Sequence, residues 1–288
     1  TITNYEMLDH FDAVGFDAIV LDESSILKAF MGSRKRQIGE AFRRTKYKLA
    51  CTATPAPNDH MELGNHSDFL DVMPSSEMLA RFFINDSMQF GHYRVKGHAI
   101  TAFWEWVSTW AVCIQKPSDM GYDNGGFNLP TLNIRHVVVK ADRTQATGGS
   151  LFRMPAMDAM SLHREMRLTA HDRARTTADL VNASGDAWVI WVNTNYDADA
   201  VRLLIPEAVE VRGSESMEAK EKKLVDFSEG RTRVIITKAR IAGFGLNWQH
   251  CKNAAFMGLG YSYEALYQAI RRTWRFGQTR PVDIYLVS

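Results

Sequence analysis

Two adjacent carboxylates, Asp22 and Glu23, come directly after the apolar stretch FDAIVL. In an open parallel sheet, ligands bind beyond the carboxyl ends of the strands, so this pattern predicts a ligand site at the end of a strand. In a nucleotide hydrolase, the first acid holds magnesium through water and the second orients or deprotonates the attacking water. The same residues fit a helix start equally well, with Ser24 or Ser25 as the N-cap and the acids near the first turn.

A second polar cluster follows the next apolar stretch, in the segment CTATPAPND. Thr52 and Thr54 flank Ala53, and the prolines that follow prevent the chain from continuing as a helix. The two hydroxyls are therefore expected at a sheet edge near the two acids. Taken alone, this segment is more typical of a turn that ends a strand.

The segment IITKARIAGFGLN follows a third apolar stretch and contains Gly243 and Gly245. Glycines at such a position let backbone amides approach an anion closely. Lys238 and Arg240 lie beside them and could meet the phosphates of a nucleic acid. A GxG pair is weak evidence by itself, and solvated charges are the commoner fate of surface Lys and Arg.

The segment YQAIRRTWRFGQTRP is the most specific pattern of the chain. On a helix, Gln268, Arg272 and Arg275 share one polar face, because they are spaced at i, i+4 and i+7. Arginine is suited to planar, permanently charged recognition of oxyanions. Gly277 suits a helix terminus, and Gln278 follows it. A basic face exposed to solvent is the simpler alternative, with an opposite face made of Leu266, Ala269, Ile270 and Thr273.

These patterns lie on alternating strands and helices, which predict an α/β fold with parallel sheets. Residues 1–73 contain too few strands for a complete sheet, whereas residues 131–288 contain enough for a doubly wound domain. Residues 74–130 begin with a helical, aromatic-rich block and end in a turn-rich connector. The sequence therefore predicts an incomplete first lobe, a helical insertion and a complete second lobe.

Composition limits the classes of partner and compartment. The 288 residues are 45% hydrophobic, and 34 Lys and Arg balance 33 Asp and Glu, so any nucleic-acid contact must depend on local patches. The three cysteines are far apart in sequence, which argues against a zinc motif or a disulfide framework and favours a reducing cytoplasm. No apolar stretch approaches the roughly 20 residues of a membrane span.

Taken in order, the motifs resemble those of superfamily-two helicases, and specifically the SWI/SNF-like branch of helicase-related ATPases. LDESS stands at the position of the Asp-Glu box, and TATPAPND resembles the third motif. TKARIAGFGLN resembles the fifth motif, and QAIRRTWRFGQ resembles the sixth. The sequence around DESSILKAF and CTATPAPNDHMELG is most similar to the compact version of these ATPases found in phage and prophage proteins.

The resemblance implies two RecA-like lobes that bind ATP and Mg²⁺ between them and translocate on nucleic acid, in this family double-stranded DNA. Asp22 would hold the magnesium, Glu23 would position the water, and the two arginines of the sixth motif, Arg272 and Arg275, would act as arginine fingers. The remaining residues have secondary roles in the family. Gln278, Gly243 and Gly245 would support nucleotide binding, Thr52, Ala53 and Thr54 would couple the site to DNA, and Lys238 and Arg240 would contact the DNA backbone.

The sequence departs from the family pattern in one respect. It has no G-x-x-x-x-G-K-[ST] loop, which in the family precedes the Asp-Glu box, so we expect the first lobe to be truncated at its N-terminus and inactive alone. A degenerate scaffold that binds DNA or a partner without catalysis is the main alternative. A small-molecule hydrolase that uses Asp22 and Glu23 is a third possibility, but it leaves the arginine segment without a purpose.

Overall fold

The computed structural model folds into two compact units, Thr1–Cys113 and Ile114–Ser288. The boundary therefore divides the predicted insertion, placing its helical block in the first unit and its connector in the second. The described parts of the chain are residues 1–28, 32–85, 93–140, 159–242, 245–258, 260 and 262–288, with side chains of 159–162 left aside.

The first unit is built around a small parallel sheet and a separate hairpin. Strands β1 (Ala18–Leu21) and β2 (Tyr47–Ala50) pair in parallel. Strands β3 (Phe83–Asn85) and β4 (Tyr93–Val95) form an antiparallel hairpin that the helical pattern did not predict. Four helices complete the unit: α1 (Ser33–Ala41), α2 (Leu63–Phe69), α3 (Ser75–Phe82) and α4 (Ile100–Ser108).

Two apolar cores stabilise this unit. Helix α1 contributes Ile38 to a core that also contains Leu21 from β1. The aromatic segment forms the second core, where Phe82 and Phe103 pack edge to face, and Leu63 of α2 joins them. The aromatic segment therefore packs against α2, next to the acidic and threonine motifs.

The second unit contains a parallel sheet of six strands in the order β5-β10-β9-β6-β8-β7. Every strand pair in it is parallel. Strands β6 and β9 are buried along their whole length, which is typical of a parallel sheet covered on both faces. The strands are β5 (Leu132–Val137), β6 (Trp188–Val192), β7 (Val209–Glu210), β8 (Val234–Thr237), β9 (Asn253–Met257) and β10 (Val282–Val287).

Helices cover both faces of this sheet and complete three layers. Side chains of α6 and α7 pack on one face, and side chains of α8 and α10 pack on the other. The prediction of a complete α/β second lobe is confirmed. The helices of this unit are α5 (Ala159–Leu168), α6 (Ala170–Asn182), α7 (Asn195–Leu204), α8 (Met217–Ser228), α9 (Ala239–Ala242) and α10 (Tyr263–Thr273).

Helices α5 and α6 occupy a region where the sequence predicts one long helix. They meet at Thr169, whose hydroxyl donates to the carbonyl of Glu165 at 2.9 Å. Threonine competes for backbone hydrogen bonds in this way and often bends a helix. In the described residues, no helix is both long and apolar enough to cross a bilayer.

Candidate functional site

The acidic pair lies immediately after β1, at its carboxyl end. Asp22 is exposed and accepts a hydrogen bond from the backbone N–H of Glu23 at 3.0 Å. Glu23 adopts a left-handed backbone conformation with φ of 51°, which is uncommon for a residue other than glycine. Strain of this kind is often found at functional sites. A 3₁₀ helix, Ser24–Lys28, begins directly after Glu23, so the alternative interpretation of this segment as a helix start also agrees with the structure.

Tyr5 reports the negative charge at this point. Its hydroxyl donates to the backbone carbonyl of Asp22 at 2.5 Å. Burial, followed by the nearby carboxylates of Asp22 and Glu23, raises the pKa of Tyr5 to about 12. The end of β1 is therefore a site of negative potential that suits a cation.

Ser24 anchors the acidic pair to the interior of the first unit. Its side chain is fully buried, and its Oγ is hydrogen bonded to Nε2 of His66 on α2 at 3.1 Å. Burial lowers the pKa of His66, so the imidazole is neutral at pH 7. The residue after Glu23 is thus held by a neutral hydrogen bond, and Ser24 does not act as an exposed helix cap.

The threonine motif lies beside the acids, as the sequence predicts. The backbone N–H of Cys51 donates to Leu21 at 2.8 Å, and the N–H of Ser24 donates to Cys51 at 2.9 Å. These bonds extend the pairing of β1 and β2 past the strand ends. The hydroxyl of Thr52 accepts from the N–H of Thr54 at 3.1 Å, which closes the turn around Ala53.

A cavity of about 510 Å³ lies at the carboxyl ends of strands β6 to β9 in the second unit. It includes the crevice between β6 and β9, whose following connections leave in opposite directions, and such a switch point is the usual ligand site of an open parallel sheet. The polar residues that line it are Asn193, Asn195, Arg212, Ser214, Lys238, Arg240 and Ser262.

Two of the predicted nucleic-acid contacts line this cavity. Lys238 donates to Oδ1 of Asn195 at 2.7 Å, whereas Arg240 is exposed. Gly245 has a φ of 74° and no atom within 4 Å of an added Cβ, so its backbone is accessible. Gly243 lies outside the described residues.

A buried ion pair supports one wall of the cavity. Arg173 of α6 and Asp197 of α7 form a 3.0 Å ion pair, and their side chains are 2% and 0% exposed. An added Cβ on Gly258 would lie 2.8 Å from Nη1 of Arg173, so this cavity residue must be glycine, as its φ of 78° also requires. Asn193 donates to the carbonyl of Gly258 at 2.9 Å, which ties the ends of β6 and β9 together.

Replacing Arg173 with methionine is expected to lower the free energy of unfolding by roughly 3–5 kcal/mol, because it leaves Asp197 buried without its cation. Burial already raises the pKa of Asp197 in spite of Arg173. Urea denaturation of the double variant Arg173→Met, Asp197→Leu should recover most of the loss. Lys222→Met, which removes an exposed ion pair with Asp226, is the control and should change little. Equal losses of stability in Arg173→Met and Lys222→Met would contradict the interpretation of Arg173 and Asp197 as a stabilising buried pair.

The predicted arginine face is only partly helical, and it is not a solvent face. Gln268 and Arg272 lie on α10, but α10 ends at Thr273, so Arg275 lies in the turn that follows and the prediction of a helix through Arg275 is wrong. Arg272 is buried, and it donates to the carbonyl of Gln268 at 3.0 Å, to Oε1 of Gln268 at 3.1 Å and to the carbonyl of Leu246 at 3.2 Å. Arg275 donates to the same Leu246 carbonyl at 3.1 Å and is only partly buried. The two guanidinium groups therefore converge on one backbone oxygen next to Gly245.

Gln278 has a structural position. Its amide donates to the carbonyl of Cys251 at 3.2 Å and accepts from the N–H of Arg280 at 3.0 Å. Gly277 has a φ of 91°, in agreement with its predicted place after the helix. Gln278 therefore fixes the turn that follows the arginine helix.

Comparison with known families adds to this geometry. Residues 172–277 match the helicase conserved C-terminal domain. The matched helicase region begins in α6 and ends after α10, so it contains the cavity, the buried ion pair and both arginines. The second unit therefore contains a segment similar to the helicase conserved C-terminal domain.

Solved structures of two helicase-related domains are similar to this chain. The C-terminal part of the Fun30 ATPase domain is 18% identical with a TM-score of 0.37, and the match covers 40% of each chain. The C-terminal domain of the DEAD-box protein Dbp5 is 21% identical with a TM-score of 0.36, and the match covers 40% of this chain and 69% of that one. The comparison with curated proteins gave no match.

Several residues of the helicase region line the cavity without having been predicted. Asn193, Arg212 and Ser262 come from three different connections, so no local spacing relates them. Asn193 has a local signal, because it is the polar residue directly after the apolar run AWVIWV, whereas Arg212 and Ser262 lie two and five residues beyond the ends of their strands. In the described residues, no group of three or more His, Cys, Asp or Glu side chains could hold a metal ion.

Proposed function

We propose that these residues belong to an ATP-dependent motor that translocates on double-stranded DNA. The observation that carries this proposal is the cavity at the carboxyl edge of the second sheet, which lies within the helicase region and is lined by cations and amides. Backbone phosphates are bound by such groups, largely without regard to base sequence. The motif order supports a place in the SWI/SNF-like branch and its compact phage type, and the cysteine usage supports a cytoplasmic protein.

We assign roles in ATP hydrolysis to residues in each unit. Mg²⁺ keeps several waters and is bound through one or two carboxylates together with phosphates, and the exposed carboxylate of Asp22 fits that role. When bound, the metal would neutralise charge on the ATP phosphates. Glu23 would orient the attacking water, and Arg275 would stabilise the charge that develops on the transferring phosphoryl group. Arg272 would position Arg275, because both bind the Leu246 carbonyl.

Coupling to DNA is proposed to pass through the first unit. Thr52 and Thr54 are connected to the acids by the hydrogen bonds of Cys51, so a shift of the threonine turn would move Glu23. The Ser24–His66 hydrogen bond extends the same connection to α2. The family resemblance suggests this coupling role, and the bonds provide a physical route for it.

The DNA contact can be tested by removing the two cations next to the cavity. Lys238→Ala, Arg240→Ala should weaken binding to duplexes of any sequence and reduce the salt slope of the binding constant by about two, one for each phosphate contact. Fluorescence anisotropy of a labelled duplex across a range of salt concentrations measures both quantities. Removing two charges from α8, by Lys220→Ala and Lys222→Ala, is the matched control.

A loss of affinity that is equal in the cavity variant and the α8 control would show that only net charge matters, and it would contradict a DNA contact at the cavity. ATP hydrolysis by the full-length protein then separates the motor from the scaffold alternative. A protein that binds duplex DNA at the cavity but neither binds nor hydrolyses ATP would be a scaffold.

A further inference from the structure

One segment of the first unit has a strong local charge that the proposed function does not use. Residues 33–48 contain seven Lys and Arg and a single acid, Glu40, in a chain whose net charge is only +1. The rest of the chain is therefore net acidic. The seven cations are Arg34, Lys35, Arg36, Arg43, Arg44, Lys46 and Lys48.

Three of these cations are held within the unit. Arg34 donates to Oε1 of Gln37 at 2.8 Å, Lys35 lies 3.7 Å from Asp68, and Lys48 lies 2.5 Å from Asp71. The bonds of Lys35 and Lys48 fix α1 and β2 to neighbouring segments, whereas that of Arg34 lies within α1. Carboxylates compensate the charges of Lys35 and Lys48, and a neutral amide holds Arg34.

The other four cations, Arg36, Arg43, Arg44 and Lys46, are exposed. We call them the α1 basic surface. In the part of the chain that the structure describes, none of their side chains makes an ion pair or a hydrogen bond, and the ammonium of Lys46 lies over the ring of Tyr47, at 5.0 Å. Within this surface Glu40 offsets one charge, so a net of three positive charges faces solvent.

The basic surface borders a cavity of about 390 Å³ along one face of α1. Arg36 and Gly39 line it from the same face of α1, at i and i+3, and Arg43 lines it from the turn that follows the helix end at Ala41. Glycine in the middle of a helix is unfavourable, and an added Cβ on Gly39 would meet no atom within 4 Å. Packing therefore does not require glycine here, but the small residue leaves the helix backbone open between two arginines.

We propose that the α1 basic surface binds the sugar-phosphate backbone of nucleic acid, as a contact separate from the cavity of the second unit. The choice of nucleic acid as the partner rests on the proposed function. Two exposed guanidinium groups separated by an open glycine suit successive phosphates, because each can bind phosphate oxygens bidentately. An acidic protein would also need apolar anchors at the centre of its interface, and the four residues of this surface provide none.

The test uses the 288-residue protein and a short fluorescein-labelled DNA duplex. Arg36→Gln, Arg43→Gln should lower the affinity and reduce the salt slope by about two. Arg81→Gln, Arg94→Gln removes the same charge from exposed positions elsewhere in the first unit and should change the slope little. An equal change in both double variants would overturn the proposal.

Two variants at Gly39 test the same surface without removing an arginine, so the proposal can still be tested if the double arginine variant misfolds. Gly39→Glu places a carboxylate between the two arginines, and it should fold, because the space is open and glutamate favours a helix. Gly39→Ala should raise the melting temperature without changing the salt slope. If Gly39→Glu, folded as judged by its melting temperature, binds the duplex like the unmodified protein, the surface is not a nucleic-acid contact.

Two further outcomes separate this proposal from its neighbours. Polyglutamate at equal charge is compared with unlabelled duplex as a competitor. If it displaces the labelled duplex equally well, the surface does not distinguish acidic polypeptides from phosphates, and the proposal fails. If Lys238→Ala, Arg240→Ala has no effect while the α1 variants weaken binding, the cavity proposal fails and the α1 proposal stands. If the cavity variant weakens binding while the α1 variants have no effect, the α1 proposal fails and the cavity proposal stands.

Discussion

Replacing Arg275 with alanine is expected to lower ATP turnover by roughly 10³–10⁵-fold, the loss associated with an arginine finger in phosphoryl transfer. Arg275 donates to the Leu246 carbonyl at 3.1 Å and is only partly buried, so its guanidinium can turn toward a phosphate. Arg272 is buried and bonded to Gln268 as well as Leu246. The structure therefore favours Arg275 as the finger and Arg272 as the residue that positions it.

The measurement is steady-state ATP hydrolysis by the full-length protein at saturating duplex DNA. Arg271→Ala is the matched control, because Arg271 lies in the last turn of α10, four residues before Arg275, and is stacked over Trp274 at 5.2 Å. Arg275→Lys should remain strongly impaired, since lysine keeps the charge but not the bidentate fork. A mild effect of Arg275→Ala, with a large effect of Arg271→Ala, would assign the finger to a different arginine.

Replacing Glu23 with glutamine is expected to lower turnover by roughly 10²–10⁴-fold, the usual contribution of a general base, while nucleotide binding is retained. Glutamine has the same shape but cannot accept the proton of the attacking water. The neighbouring Ser24–His66 bond, at 3.1 Å, should keep the backbone of residue 23 in place in the variant. The loss can therefore be attributed to the carboxylate.

Binding of a fluorescent ATP analogue and hydrolysis by the full-length protein are measured side by side. Glu6→Gln, which removes an acid from the same unit outside the acidic pair, serves as the control and should hydrolyse ATP normally. Undiminished hydrolysis by Glu23→Gln would remove the catalytic role assigned to Glu23. Loss of nucleotide binding in that variant would instead indicate that Glu23 helps to hold the metal.

Periodicity predicted most of the second unit correctly, because its strands are short apolar runs bounded by polar turns. β6 and β9 are examples, in which every residue is buried. Periodicity failed where one residue decides the local structure, as at Thr169, whose hydroxyl bond to Glu165 separates α5 from α6. It also missed the hairpin of β3 and β4, since strands of three residues carry too little pattern to be distinguished from the helical surroundings.

The arginine helix shows the limit of the same reasoning at a site. Helical spacing correctly placed Gln268 and Arg272 one turn apart on α10, but it wrongly extended the helix to Arg275, which lies beyond the helix end at Thr273. It also could not distinguish the burial of these residues. Packing of α10 on the sheet buries Gln268 and Arg272 and leaves Arg275 partly exposed. A helical wheel gives the direction of a side chain and not what lies in that direction.

The sequence by itself determined the α/β class, the order of the motifs and the residues that carry charge at the ends of the strands, because these depend on local periodicity and residue type. Only the tertiary structure decided which of these residues meet. Asn193, Arg212 and Ser262 reach one cavity from separate connections, and Ser24 reaches His66 from 42 positions away. Such contacts depend on how the strands are ordered and packed in the sheet. No local pattern in the sequence specifies that order.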